Sequence, residues 1–396
     1  MKELSVDCII ERRDCHSAKW ELAKKYSEDI IPMSVADMDI PSPRELIEYL
    51  GKLNKKGIYG YTIFPNNYKK IIQKYFLRHY GSYIDEESIV FCPRIIQAVS
   101  IYIREFTCIN DNISILSPSY KPLVNAISLN KRNAILCDLI YKNNQYYINF
   151  DLLEDCFKKS KVFIFISPHN PTGTVWSKND LEKIAMLAEK YGVFIISDDI
   201  HADFNFSNNK HIFISSVSEY VENNSIICTS PSKTFNIPGL EISNLLIKNT
   251  CIRNKFKHHL EALGFHNPNY FSASALIITY SNCDEWRKEL LEYIRENRSL
   301  VKDFFEKEIP ELEVVNSQGT YLVWINYKKL NLNEDKLKYW LINLSKIEMS
   351  WGSDFLRGGE YFFRMNIAMP RIVLISCLRK IKEGLILLLE ESNYGK

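Results

Sequence analysis

At 396 residues, with 46% hydrophobic and 25% charged residues, the chain can bury a large core and is expected to fold as a globular protein of two domains. Its 50 basic and 48 acidic residues nearly cancel, which leaves no electrostatic ground for a nucleic acid or an anionic membrane as partner. The 10 cysteines are scattered without a C-x-x-C pair, which argues against a disulfide frame or a zinc site and for reduced thiols. Residues 1–7 carry no apolar signal core and no apolar run approaches membrane-spanning length, so a soluble cytoplasmic protein is expected.

In chain order, short runs at 113–116, 162–166, 193–196 and 225–228 are mostly β-branched or aromatic and read as strands buried on both faces of a largely parallel sheet. Between the second and third lies a helix with Leu181, Ile184, Leu187, Ala188 and Tyr191 on one stripe, and Ser177 with Asp180 forms a capping box at its start. Strand, helix, strand is a crossover unit, so the middle of the chain is α/β. The final third changes character. A long helix carries Trp286, Leu290, Ile294, Val301 and Phe305 up to Pro310, strand-like segments follow at 321–325 and 361–365, and a last helix runs from about 373 to 389. This predicts a smaller α+β domain packed with the N-terminal arm, with boundaries at 1–46, 47–285 and 286–396.

Each middle strand ends in a polar cluster, where open α/β sheets bind ligands. Ser117-Pro118-Ser119-Tyr120 follows the first, Ser167-Pro168-His169-Asn170-Pro171-Thr172-Gly173 the second, and Ser197-Asp198-Asp199-Ile200-His201 the third. The fourth leads into Thr229-Ser230-Pro231-Ser232-Lys233-Thr234-Phe235-Asn236. A lysine just past a buried strand is poorly solvated, so its neutral amine, the form that condenses with a carbonyl cofactor, is favoured. Together the strand ends offer a phenol, an amide, a carboxylate and an amine, a set that suits a phosphorylated nitrogen heterocycle. Plainer roles exist for each. Asp198 could cap a helix, His169 and His201 could be satisfied loop histidines, Tyr120 is one of 23 tyrosines, and Arg364 could sit in a surface ion pair. Arg364 nevertheless lies between Phe363 and Met365 in an apolar run, which argues for a buried anion; His169 and Arg371 read as structural.

These clusters, with Arg12-Arg13, Ser17-Ala18-Lys19-Trp20, Val35-Ala36-Asp37-Met38-Asp39, Tyr59-Gly60-Tyr61, Gly319-Thr320-Tyr321-Leu322-Val323-Trp324, Arg364-Met365-Asn366 and Pro370-Arg371, give a resemblance running nearly end to end. The chain resembles the fold-type-I pyridoxal-phosphate enzymes of the class I/II aminotransferase superfamily, and within them the cystathionine β-lyase and cysteine C–S lyase branch. The resemblance implies a mostly parallel seven-stranded sheet in the large domain, pyridoxal 5′-phosphate as cofactor, an amino acid as substrate, and a homodimer with shared active sites. Lys233 would carry the cofactor and move the substrate Cα proton, Asp198 would pair with the ring nitrogen, and Asn170 with His201 would hold the ring oxygen. Tyr120 would stack on the ring, while Ser230, Ser232 and the N–H groups of Ile95 and Ile96 would hold the phosphate. Tyr61 would reach the neighbouring subunit's phosphate region, and Lys233, Tyr61 and Tyr120 form the implied catalytic set. Arg364 would fork onto the substrate carboxylate, aided by backbone near Ala36 and by Asn170.

Several positions depart from the family pattern. Asp199 stands where glutamate is usual, and Arg94 where a small residue is common. Glu241 replaces a phosphate-binding arginine eight residues after the lysine. Ser34 replaces a tryptophan, and Leu356, not glycine, follows Phe355. The last two fall near the expected substrate entrance and leave the substrate open. The implied reaction is a carbon–sulfur β-elimination giving a thiol, pyruvate and ammonia; amino-group transfer, or a non-catalytic regulatory protein on the same fold, are the alternatives.

Overall fold

Seven short strands, the central ones dominated by β-branched and aromatic residues, assemble into one sheet. A computed structural model describes residues 6–265 and 267–394. The strands are β1 (Ile89–Cys92), β2 (Asn112–Ser117), β3 (Asn133–Asp138), β4 (Val162–Ile166), β5 (Phe194–Asp198), β6 (Ser225–Thr229) and β7 (Ser243–Leu246), in the spatial order β1-β7-β6-β5-β4-β2-β3. β7 runs antiparallel to both its neighbours, and the remaining pairs are parallel. Every residue of β4, β5 and β6 is buried, as a sheet covered on both faces requires. β5 extends past the expected 193–196 to include Ser197 and Asp198, because Asp198 still pairs with Ile166 on one side and Cys228 on the other. The register therefore sets the carboxylate on the last rung of the sheet, at the edge where the other strands also end.

The helix Lys178–Tyr191 starts on the expected capping box of Ser177 and Asp180, ends on left-handed Gly192, and buries Leu181, Ile184, Leu187 and Ala188. After β1 comes the helix Ile95–Phe106, whose N-cap is Arg94.

The final third forms a four-stranded antiparallel sheet, Glu313–Val314, Leu322–Asn326, Phe362–Asn366 and Ser350–Trp351 in spatial order, with the helices Asp284–Glu308 and Arg371–Tyr394. Its apolar cluster takes in Met33, Met38 and Ile40 from the N-terminal arm beside Val301, Trp340 and Leu378. Burial of each such side chain contributes roughly 1.5–3 kcal/mol, enough to fix the arm in place. The arm also pairs Ile31 with Ile347 in a short parallel ladder. Among the described residues no helix is long and apolar enough to cross a membrane.

Candidate active site

A cavity of about 370 Å³ opens at the C-terminal edge of the seven-stranded sheet. The sheet order divides its lining. Tyr120, Asn170 and Asp198 come from the ends of β2, β4 and β5, while Arg94, Ser230 and Glu241 come from the ends of β1, β6 and the approach to β7. Lys233, His201, Ser232, Ile95, Ile96 and Ala36 also line it. Eleven of the twelve expected site residues are thus at or within one hydrogen bond of a single cavity; Arg364 reaches it through Asn170. Tyr61 does not, because it is fully exposed on this chain.

Lys233 donates to the carbonyl of Ala36 at 2.6 Å. Burial lowers its ammonium to about 8; Asp37 opposes that shift, and the Arg364 charge adds to it. The turn around it is held from both sides. Thr234 donates to Asp203 at 2.6 Å, and Asp203 also receives Tyr75 and both Nε and Nη2 of Arg287. Asn236 donates to the carbonyls of Met38 and Ile40. Asp203, Arg287 and Tyr75 had no signal in the sequence, since their partners lie far along the chain. The Ala36 carbonyl also takes the Tyr321 hydroxyl, which leaves only the Ala36 N–H for a substrate carboxylate.

Asp198 caps no helix. It accepts one 3.3 Å bond from the Ile200 N–H, and burial raises its carboxyl to about 7. His201 is buried with Nδ1 unpartnered, and burial, then the Lys233 and Arg364 charges, holds its imidazole neutral. Asn170 accepts from Arg364 Nη1 at 2.9 Å. Arg364 Nη2 donates to the Ser34 carbonyl and the Ser350 hydroxyl, Nε is buried without a partner, and no carboxylate pairs with it among the described residues. Burial brings this guanidinium down to about 10. The cavity therefore sets a buried carboxylate in no direct ion pair, with the Lys233 charge acting on it only from a distance, near a buried guanidinium with no carboxylate partner among the described residues. Each is costly until a complementary charge arrives, and a protonated ring nitrogen and an amino-acid carboxylate are the matching groups.

The serines are not equivalent. Ser230 donates its hydroxyl to the Ile242 carbonyl at 2.6 Å and accepts the Ser232 N–H, so it braces the loop and is not the free phosphate donor expected of it. Its neighbour Ser232 has a hydroxyl with no such commitment. The helix Ile95–Phe106 makes its first bond from Ala98 to Arg94, which leaves the N–H groups of Ile95 and Ile96 without intrahelical acceptors. Glu241 does not stand alone, since it forms an ion pair with Arg94. Gly173 lies at φ +68°, where an added Cβ would meet the Ser317 hydroxyl at 2.6 Å, so the turn presenting Asn170 requires glycine. His169 is structural, with Nδ1 2.9 Å from the Thr172 hydroxyl, and so is Arg371, paired with Glu296. Asp199 is bonded to His211 and Ser197 beneath the site.

An amine, a carboxylate, an amide and helix N–H groups gathered at one edge of such a sheet define a fold-type-I pyridoxal-phosphate enzyme. The family described as aminotransferase class I and II matches residues 28–380, and the chain belongs to it, in the cystathionine β-lyase and C–S lyase branch, with pyridoxal 5′-phosphate as cofactor. The chain is similar to cystathionine beta-lyase PatB of Bacillus subtilis (strain 168), at 32% identity over 379 residues, covering 95% of this chain and 98% of that protein. Cystalysin from Treponema denticola, which contains pyridoxal 5′-phosphate, superimposes with a TM-score of 0.93 at 33% identity over 98% of this chain and 100% of its own. The pyridoxal-phosphate-bound C–S lyase from Staphylococcus hominis gives 0.89 at 30% identity, over 97% and 98% respectively.

Proposed function

We propose that the chain cleaves the Cβ–S bond of cystathionine or another L-cysteine S-conjugate by α,β-elimination, releasing a thiol, pyruvate and ammonia. The observation that carries this reading is the pairing of an electron-sink site around Asp198 with an unpaired buried guanidinium at Arg364, in a chain similar end to end to C–S lyases. Bound pyridoxal phosphate supplies an electron sink for charge developing at the substrate Cα.

The chain's own residues do the rest. Lys233 would hold the cofactor, and its buried side-chain amine would be the base for the substrate Cα proton. The electron pair from the Cα–H bond would expel the sulfur from Cβ as thiolate, which would take up a proton; the Lys233 amine would retake the cofactor and free 2-aminoacrylate, which one water hydrolyses to pyruvate and ammonia. Asp198 would keep the ring nitrogen protonated, and Asn170 with neutral His201 would hold the ring oxygen. Tyr120 would stack on the ring. Ser232 and the amides of Ile95 and Ile96 would hold the phosphate. The Nε of Arg364 and the Ala36 N–H orient the substrate carboxylate.

The working unit in this reading is a homodimer. Ile58, Tyr61 and Ile63 are 73%, 101% and 83% exposed, an apolar run that a second copy would cover while Tyr61 completes its neighbour's site. The domain division at 47–285, flanked by 1–46 and 286–396, is supported by the separate apolar cluster shared by the two ends of the chain.

The test is an absorption spectrum of purified protein before and after L-cystathionine, with thiol and pyruvate assayed in the same sample. Thiol and pyruvate appearing together are expected. Conversion of the cofactor to its pyridoxamine form without thiol release would assign an aminotransferase instead.

A further inference from the structure

Two departures that look unrelated in sequence meet in space. Arg94 and Glu241 lie 147 positions apart, yet they form an ion pair at the mouth of the cavity, on the side of β1, β7 and β6. The antiparallel register of β1 and β7 causes this: Cys92 faces Ser243, so the residues just beyond each strand are neighbours.

Charge in this half of the cavity is sparse. Of the lining residues, Arg94 and Lys233 are the cations, and Lys233 is bonded to Ala36. His201 is neutral. A phosphate beside Ser232 and the helix start would therefore meet two N–H groups, a hydroxyl and the carboxylate of Glu241, with Arg94 the sole cation there to balance it. Arg94 engages Glu241 through Nη2, and its Nε and Nη1 have no partner among the described residues. Glu241 closes the turn Pro238–Leu240 with a left-handed backbone at φ +51°, and its carboxylate is held at the cavity mouth by the Arg94 ion pair.

We propose that Arg94 is the phosphate-binding cation of this site and that Glu241 is its positioning partner, the guanidinium being tied by one nitrogen to Glu241 and offering the others to the cofactor phosphate. A basic residue lost from one side of the phosphate is thereby replaced from the other, at the N-cap of the helix whose amides bind the same group. The inference rests on the cofactor assignment above.

Equilibrium dialysis of the full-length protein against pyridoxal 5′-phosphate and, separately, against unphosphorylated pyridoxal tests it. Arg94→Ala should weaken pyridoxal phosphate about tenfold or more and leave pyridoxal within about twofold, with Arg94→Lys in between. Glu241→Gln should weaken pyridoxal phosphate in the wild-type background and strengthen it in the Arg94→Ala background, where an unpaired carboxylate repels the phosphate. Equal losses for both ligands, or no loss for either, would overturn the role of Arg94 while leaving the cofactor site standing. The same sign for Glu241→Gln in both backgrounds would overturn the positioning role. Wild-type protein that binds neither ligand would overturn the cofactor assignment itself.

Discussion

The Ala36 carbonyl receives Lys233 Nζ at 2.6 Å and the Tyr321 hydroxyl at 2.9 Å, so one oxygen joins the N-terminal arm, the lysine turn and the C-terminal sheet. The lysine is thus positioned before any cofactor arrives, and burial brings its ammonium down to about 8. At pH 7 roughly one amine in ten is then neutral, against about three in ten thousand at an ordinary lysine pKa. The rate at which cofactor-free protein takes up pyridoxal phosphate should therefore rise about tenfold per pH unit below 8 and level off above it. Stopped-flow absorbance across pH 6–10 reads this directly; a rate still climbing steeply at pH 10 would show an unperturbed lysine.

Asp198 gives a second pH signature, of opposite sense. Its folded carboxyl titrates near 7 and its unfolded one near 3.8, so between those values the folded protein holds a proton that the unfolded chain has lost. Stability of the cofactor-free protein must then fall as pH rises from about 4 to about 7, by up to about 4 kcal/mol from this group. Asp198→Asn removes that slope. The variant should match wild type near pH 4 and exceed it at pH 8 without cofactor, yet bind pyridoxal phosphate less tightly. Parallel denaturation curves for the two proteins across this range would rule the account out.

The strand-end clusters were readable because each ends a buried apolar run, and a run buried on both faces has little choice but a parallel sheet. That pattern alone brings Asn170, Asp198 and Lys233 to one edge of the sheet. What could not be read was pairing across the fold. Arg94 and Glu241 stood as two separate oddities until the register of β1 and β7 made them neighbours. Asp203 gathers Tyr75 and Arg287 from 128 and 84 positions away, with no periodicity to announce either. Ser230 and Ser232 looked alike, and only the Ile242 carbonyl tells them apart. Tyr61, exposed on a single chain, has its proposed role in a second copy.

The turn that carries Asn170 is tightly specified. Gly173 donates to His169 at 2.7 Å and accepts Gly319 at 2.7 Å, in a backbone conformation unfavourable to other residues. Gly173→Ala places Cβ 2.6 Å from the Ser317 hydroxyl and 2.9 Å from the Gly319 carbonyl, and should cost about 2–4 kcal/mol in denaturant unfolding. Adding Ser317→Ala should recover only part of the loss, since the Gly319 main chain cannot be trimmed. Full recovery would mean that the left-handed conformation itself carries no cost.

Leu356 occupies a conformation that glycine would adopt more readily, with φ +70° and ψ −160°. Such backbone costs a side-chain-bearing residue about 1–3 kcal/mol and persists where the surroundings over-determine it. Here they do. On one side the Phe355 carbonyl accepts the Ser119 N–H at 2.9 Å, and on the other the Arg357 carbonyl accepts the Ser117 hydroxyl at 2.5 Å. Arg357 is further tied to Asp138 at 2.8 Å. The loop is therefore clamped to the ends of β2 and β3, and its Phe355 ring lies 4.9 Å from the Arg364 guanidinium, the group proposed to bind the substrate carboxylate. Glycine is ordinarily the less stable choice than alanine by about 0.5–1 kcal/mol. At this position the order should invert, with Leu356→Gly more stable than Leu356→Ala by about 1 kcal/mol or more in paired unfolding measurements. Because Phe355 covers Arg364, the two variants should also differ in KM for the amino-acid substrate more than in kcat. An alanine variant as stable as the glycine one would show that the clamp yields, and that the seat of Phe355 over Arg364 does not depend on it.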